Sequence, residues 1–289
     1  MNLATNHSRR IQVTFAQATS KERLQKDANG YNQYHRMLQL GLPISNLTSE
    51  ILMSKGVNDV SVMHQIIVNG GFRDIPRDLL QADVLLNKDI NNITPLHLLA
   101  EDGLLTSVPN FILTLENLAI ADNLGNTSLH RAAGISKPRG FIVPTQALSL
   151  DMLSKKNKTG ASVYHLLAKN SLLAKLPKKL ITQDAIMLRD NSTQTVLHLV
   201  MKSGCLDQVP PELISVKNML TSSSTGCTPM HLLENQDVHK LPIFCHAGFI
   251  RSSKEKQDWE NLLEQFKIKA PWPIKDGSHL QHDGAWQEL

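Results

Sequence analysis

Thr94-Pro-Leu-His97 sets the organisation of this chain, because the same Ser/Thr-x-apolar-His tetrad returns five more times. The other copies are Ser61-Val-Met-His64, Thr127-Ser-Leu-His130, Ser162-Val-Tyr-His165, Thr195-Val-Leu-His198 and Thr228-Pro-Met-His231. Their histidines stand 33, 33, 35, 33 and 33 residues apart, and this one position takes six of the 12 histidines in the 289 residues. A fixed period of this size is the signature of a repeat architecture rather than of a catalytic motif.

Other residues keep the same phase. Gly70, Gly103 and Gly204 follow the histidine by six residues, and Pro76, Pro109, Pro177 and Pro210 follow it by twelve. Pro144 comes at fourteen, after an insertion near Lys137-Pro-Arg-Gly-Phe141, and Pro242 comes at eleven. Asp89, Asp122, Asn157 and Asp190 precede it by eight, and Gly125, Gly160 and Gly226 by five. An eroded seventh copy is read at Tyr34-His35 with Gly41-Leu-Pro43, only 29 residues before His64.

Each unit reads locally. Asp-x-x-Gly is turn chemistry, the carboxylate accepting nearby N–H groups while glycine takes positive φ. The Ser or Thr then caps a helix, and Pro95 and Pro229 suit its first turn. Glycine ends that helix. The downstream proline is expected to open a second, shorter helix, since proline is costly inside one. Such a helix-loop-helix unit cannot bury its apolar face alone, so the units must stack.

The period, the Thr94-Pro-Leu-His97 tetrad with its preceding turn, and the helix-ending glycine resemble the ankyrin repeat over residues 56–245. The resemblance implies an all-α, ankyrin-like solenoid of about six to seven helix-loop-helix repeats, with helical caps at both ends. The proline in each unit departs from the ordinary pattern and is similar to a bacterial-style variant. The expected layout is an N-terminal cap with a degenerate repeat at 1–55, repeats at 56–245, a capping helix at 246–267 and an extended tail at 268–289. The capping helix is read from Ser252-x-x-Glu255 and an apolar stripe of Trp259, Leu262, Leu263 and Phe266. The tail carries Trp272 and Trp286 among prolines and glycines.

Composition restricts the function class. Hydrophobic residues make up 41%, charged residues 19% and aromatics 4%, with a formal net charge of +4. That slight excess does not make a general nucleic-acid or membrane surface. No stretch reaches eighteen apolar residues, so no membrane span is expected. Three cysteines, Cys205, Cys227 and Cys245, fit a reducing, cytoplasmic setting better than a disulfide framework. No nucleophile elbow, phosphate loop or His-Glu-x-x-His motif occurs, so no enzyme and no cofactor is expected. Cys227, His231, His239, Cys245 and His246 lack the paired spacing of a zinc site, and no metal is expected. The repeat histidines His64, His97, His130, His165, His198 and His231 are read as structural, with ring nitrogens bonding the adjoining turn.

The resemblance implies binding of another protein through the concave face by a monomeric chain. An effector acting inside a host cell is one form of such a module. Carried over to this sequence, the partner-facing positions are Asn91, Glu101, Asp102, Asn123, Asn126, Lys158, Lys169, Asn170, Asn191, Gln194 and Lys202, with Ile90, Ile93, Leu124, Thr159, Ala161 and Ser192 beside them in the turns. A second reading stays open, in which Lys155-Lys156-Asn157-Lys158 and Lys178-Lys179 serve an adaptor for nucleic acid or a structural complex.

Overall fold

The computed structural model describes residues 17–134, 141–233 and 253–266, together with Gln12 and Leu241. Among the described residues the chain is α-helical, with only isolated antiparallel bridges such as Lys55 to Ser61 and Arg189 to Thr195. It divides into two compact units, Met1–Leu148 and Ser149–Leu289. The first contains α1 (Ser20–Leu24), α2 (Gln33–Gln39), α3 (Ser49–Met53), α4 (Val62–Val68), α5 (Ala82–Leu85), α6 (Pro95–Glu101), α7 (Leu115–Leu118) and α8 (Ser128–Gly134). The second contains α9 (Leu150–Ser154), α10 (Val163–Lys169), α11 (Gln183–Met187), α12 (Val196–Lys202), α13 (Val216–Met219), a 3₁₀ turn at Pro229–Leu232, and α14 (Ser253–Gln265). Each unit is a stack of ankyrin-like repeats.

The long helix of each full repeat spans seven residues and begins where the tetrad says it should. Ser61, Thr94 and Thr195 accept the N–H of the histidine three residues on, filling one of the donors a helix start leaves open. The residues two and three after the histidine are buried, as in Leu99-Ala100, Ala132-Ala133 and Val200-Met201. They form the apolar stripe that meets the neighbouring repeats.

The short helix corrects the sequence reading. The proline does not open it. Pro76, Pro144, Pro177 and Pro210 each precede a 3₁₀ turn of three residues. Their carbonyls accept N–H bonds three residues on, from Leu79, Ala147, Leu180 and Leu213, and Pro109 does the same for Ile112. Proline suits that place because the first residue of a 3₁₀ turn needs no N–H donor. The chain then makes a fresh start at a second hydroxyl cap. Thr48, Thr114, Ser149, Thr182 and Ser215 each accept an N–H three residues ahead, opening helices of four or five residues. Repeats therefore carry two caps; the sequence offers a further short turn at 114–118, but the Thr114 hydroxyl was not read as a cap.

The eroded copy at His35 keeps its turn, its cap and both of its helices. Asp27 supplies its turn, accepting N–H bonds from Asn29 and Tyr31, and Gly30 has φ 77°. Asn32 replaces Ser/Thr as the cap. The distance to His64 is four residues short of 33 because Gly41 and Pro43 are two residues apart where Gly70 and Pro76 are six. The missing residues match the 3₁₀ turn Gly71–Asp74 of the next repeat. In the second unit, α14 lies against α13, with Trp259, Leu262 and Leu263 buried, and the Phe266 ring meets His231 edge-on at 4.9 Å. Ser252 and the tail at 268–289 lie outside the described residues, as do Pro242 and most of the insertion near Lys137.

Two substitutions test this packing. Ser128 is fully buried and its hydroxyl finds no partner among the described residues, whereas Val62, Val163 and Val196 hold the same position elsewhere. Ser128→Val is expected to stabilise the chain by about 1 kcal/mol, read as a higher urea midpoint, because an unsatisfied buried hydroxyl is removed. Gly160 and Gly226 share a left-handed φ of 75° and 76°, but a Cβ on Gly160 would overlap Asn191 of the next turn while Gly226 faces open space. Gly160→Ala is expected to cost at least ~1 kcal/mol more than Gly226→Ala, the difference being steric overlap rather than φ strain.

Candidate partner-binding surface

The turn that precedes α2, α6, α8, α10 and α12 is built by one side-chain oxygen, whereas Gly56 holds that position before α4. Asp89 Oδ1 accepts the N–H groups of Asn91 and Ile93, both at 2.8 Å. Asp122 does so for Leu124 and Asn126, Asn157 for Thr159 and Ala161, and Asp190 for Ser192 and Gln194. Arg131 adds an ion pair to Asp122 at 2.5 Å, and Arg36 pairs likewise with Asp27 at 2.7 Å.

The repeat histidine joins this turn to the next. Its Nδ1 accepts the N–H of its own cap residue, at 3.2 Å in Ser61–His64 and 3.0 Å in Thr195–His198. A ring nitrogen that accepts there must leave Nε2 protonated in the neutral imidazole. Nε2–H donates to a carbonyl one repeat further on: His64 to Ile93, His97 to Asn126, His165 to Gln194 and His198 to Cys227, at 3.0–3.3 Å; the His35 ring also spans two repeats, but with Nδ1 against Asn32 Oδ1 at 2.7 Å and Nε2 against Val60 O at 3.0 Å. The sequence reading confined these bonds to the adjoining turn; the ring spans two repeats. His231 keeps the Thr228 bonds but is exposed at its ring, against Phe266.

Turn tips also bond to one another. In the first unit Ile90 N–H donates to Asn58 O and Asn123 N–H to Asn91 O. In the second, Asn191 N–H donates to Thr159 O and Ser224 N–H to Ser192 O. The tips therefore form a row with fixed register. The ends of the long helices lie on the same side as the tips. Arg131, one residue after its histidine, reaches both Asp122 of its own turn and Glu101 at the end of α6. Side chains one and four residues after the histidine share a helix face.

Against this geometry the expected contact residues divide. Asn91 is exposed, and its main chain is held by Asp89 and Asn123. Asn123 and Asn191 are exposed, but their amides donate to Ile90 O and Lys158 O, so they brace the tip row. Asn126 and Gln194 are half-buried, and their carbonyls receive the histidines. Glu101, Asp102 and Asn170 are half-buried at helix ends. Lys158, Lys169 and Lys202 are exposed.

Ile90 and Leu124 were among the positions carried over from the resemblance, whereas Leu40, Val68 and a recurring cation escaped the sequence reading. In the first unit it presents Leu40, Val68, Ile90 and Leu124, which are 37, 70, 59 and 64% exposed. Nine residues before the histidine stands a cation: Lys26, Lys55, Lys88, Lys156 and Arg189. Two of these staple repeats, Lys55 Nζ donating to Lys88 O and Arg189 Nη1 to Ser222 O. The in-phase cation was legible as a sixth repeating position.

Among the described residues, no group of three His, Cys, Asp or Glu side chains stands close enough to hold a metal ion. Cys227 and His231 are described; His239, Cys245 and His246 are not. No described helix is long and apolar enough to cross a membrane.

No protein-family model and no curated protein matches the sequence. Among solved structures, the ankyrin repeat domain of Bcl-3, a member of the IkappaB family, is 17% identical, with 70% of this chain and 86% of that chain covered and a TM-score of 0.44. A chain from the predatory endopeptidase of Bdellovibrio bacteriovorus in complex with an immunity protein is 21% identical, with 59% and 89% covered and a TM-score of 0.43.

The histidine geometry has a pH consequence. Burial holds His35, His64, His97, His165 and His198 below the ordinary imidazole value. The facing charges oppose each other: Lys55, Arg131, Lys156 and Arg189 disfavour the imidazolium of His64, His97, His165 and His198, as Lys26 does for His35. Asp89, Asp122 and Asp190 favour it. The unfolded chain binds protons that the folded chain refuses, so stability is full above about pH 6.5 and falls as pH drops from there toward the folded values. Urea midpoints are expected to fall between about pH 7.5 and pH 5.5, with net proton uptake on unfolding. A flat or rising midpoint over that window would contradict the neutral Nε2–H assignment. Asp27, held low chiefly by the Tyr31 N–H, acts only below its ordinary value of 3.8.

Proposed function

We propose that this chain is a protein-interaction module that seats a partner protein against the turn-tip face of its repeats, the concave side in the ankyrin arrangement. The observation that carries the reading is the exposure of Leu40, Val68, Ile90 and Leu124 on that face of the first unit. Large apolar side chains gathered on one side of a fold are costly in water and mark places where a partner excludes it. The backbone beneath them is fixed by the Asn58–Ile90 and Asn91–Asn123 bonds, so little ordering entropy is lost on binding.

The test is affinity capture from cell lysate with the intact chain and two variants. Val68→Lys/Ile90→Lys/Leu124→Lys removes the apolar patch without asking for a new backbone shape, since Lys158 and Lys169 already occupy the positions equivalent to Ile90 and Val68. Phe111→Lys/Leu115→Lys removes two other exposed apolar residues, away from the tips. The expected result is a specific protein retained by the intact chain and the second variant but lost, by at least about tenfold, from the first. Loss only from the second variant would move the interface to the Phe111–Leu115 side and overturn the reading.

A further inference from the structure

We propose that the turn-tip face of the second unit receives an extended, acidic peptide segment whose carboxylates recur about every third residue. This rests on the reading of that face as a protein-binding surface, and it names the chemistry of the partner.

Residues 149–233 carry ten Lys/Arg against five Asp/Glu, a net of +5. The charges are sorted by face. Lys156, Lys158, Lys169, Arg189 and Lys202 all stand nine or seven residues before, or four after, a repeat histidine, and all five are exposed. The acidic residues stand elsewhere. Asp151 and Asp184 sit in the first turns of α9 and α11, and Asp207 and Glu212 in the 3₁₀ turns. Asp190 is in the turn itself, with Oδ1 engaged by the N–H groups of Ser192 and Gln194. Lys155 pairs with Asp151 at 4.0 Å, and among the described residues none of the five face cations lies within ion-pairing distance of a carboxylate, Asp190 beside Arg189 being turned to the N–H groups of its own turn.

The repeat does not require the three lysines at the tips and helix ends, Lys158, Lys169 and Lys202. The positions of Lys158 and Lys169 are taken in the first unit by Ile90 and by Val68 and Glu101. A lysine in the last helical turn complements the helix dipole, which accounts for Lys169 and Lys202 in part. That does not account for Lys158, whose tip is braced by the Asn191 amide. Arg189 spends one nitrogen on Thr193 O and Ser222 O and keeps the rest of its guanidinium on the exposed side.

The spacing selects the ligand. Lys169 and Lys202 close α10 and α12, the long helices of successive repeats, and Ser203 Oγ donates to Lys169 O between them. Packed helices stand about 8–10 Å apart. A peptide extended in the polyproline-II conformation advances about 3.1 Å per residue with three residues per turn, so every third side chain returns to the same side about once per repeat. A single nucleic-acid strand fits the face less well, because strand binding relies on exposed rings for base stacking. The one Phe, Tyr or Trp between 149 and 233 is Tyr164, which is buried, donates its hydroxyl to Leu180 O, and has its phenol pushed up to about 12 by that burial.

The experiment is fluorescence polarisation with the intact chain and a labelled peptide of four Glu-Gly-Ser triplets. Its comparators are a peptide of the same composition with the glutamates in one block, and an oligothymidine of equal length. Lys158→Ala/Lys169→Ala/Lys202→Ala removes three face charges, and Lys175→Ala/Lys178→Ala/Lys179→Ala removes three exposed charges off the face. Urea midpoints confirm that both variants fold, and Lys158→Ala alone is the reserve if the triple does not. The spaced peptide is expected to bind in low salt, to lose about tenfold in the face variant and less than about twofold in the other, and to bind more tightly than the block peptide. Equal losses in both variants, equal binding of the block peptide, tighter binding of the oligothymidine, or no peptide binding would each overturn it. A lysate partner lost on substituting Val68, Ile90 and Leu124 would still support the broader reading after such a failure.

Discussion

The hydrogen bond from a histidine Nε2–H to a carbonyl one repeat away is the constraint on which the fold depends. It requires a neutral ring of one tautomer, and that tautomer is chosen by the cap residue, whose N–H occupies Nδ1. One side chain thus fixes where a helix starts, which way a ring points and where the following turn sits. Burial makes the bond strong, and it also makes a missing partner costly. The recurring cation at Lys55, Lys156 or Arg189 belongs to the same device. Its charge discourages ring protonation, and in two repeats its nitrogen reaches the carbonyl nine residues before the next histidine.

Because main-chain groups and buried polar atoms do this joining, most side chains on the turn-tip face are spared from it. The exceptions are instructive. Asn123 and Asn191 look like open contact residues in a sequence, yet their amides close bonds to the preceding tip. Replacing them would change the surface and loosen the row at once. Val68, Ile90, Lys158 and Lys169 carry no such duty, and their chemistry varies freely between repeats.

The tetrad made the long helices, their caps and the turns legible, since Ser/Thr, His and Asp each have a local bonding reason to be where they are. The short helices were misread because proline is a louder signal than Thr114 or Ser215, although a hydroxyl three residues before an exposed backbone N–H is the same grammar as the first cap. The repeat at His35 was obscured by a shortened connection, not by loss of its bonds; Asp27, Gly30 and Asn32 stand in phase with Asp122, Gly125 and Thr127. The reach of each histidine into the next repeat was not legible, because which carbonyl lies beyond Nε2 depends on stacking and not on spacing. For the same reason the sequence placed candidate contacts at plausible positions but did not separate the braced asparagines from the unencumbered lysines.

A stack held this way tolerates local changes in surface chemistry. The first unit shows apolar side chains at the tips and helix ends where the second shows lysines, on the same backbone turn and the same cap. Neither set is needed for stacking: Val68 and Lys169 end equivalent helices, and Ile90 and Lys158 occupy equivalent places in turns held by Asp89 and Asn157. Residues that fold does not demand, and that nonetheless segregate by type onto one side, call for an explanation outside folding. On the proposed reading recognition supplies one for each unit by itself, apolar tips excluding water in the first and lysines meeting carboxylates in the second.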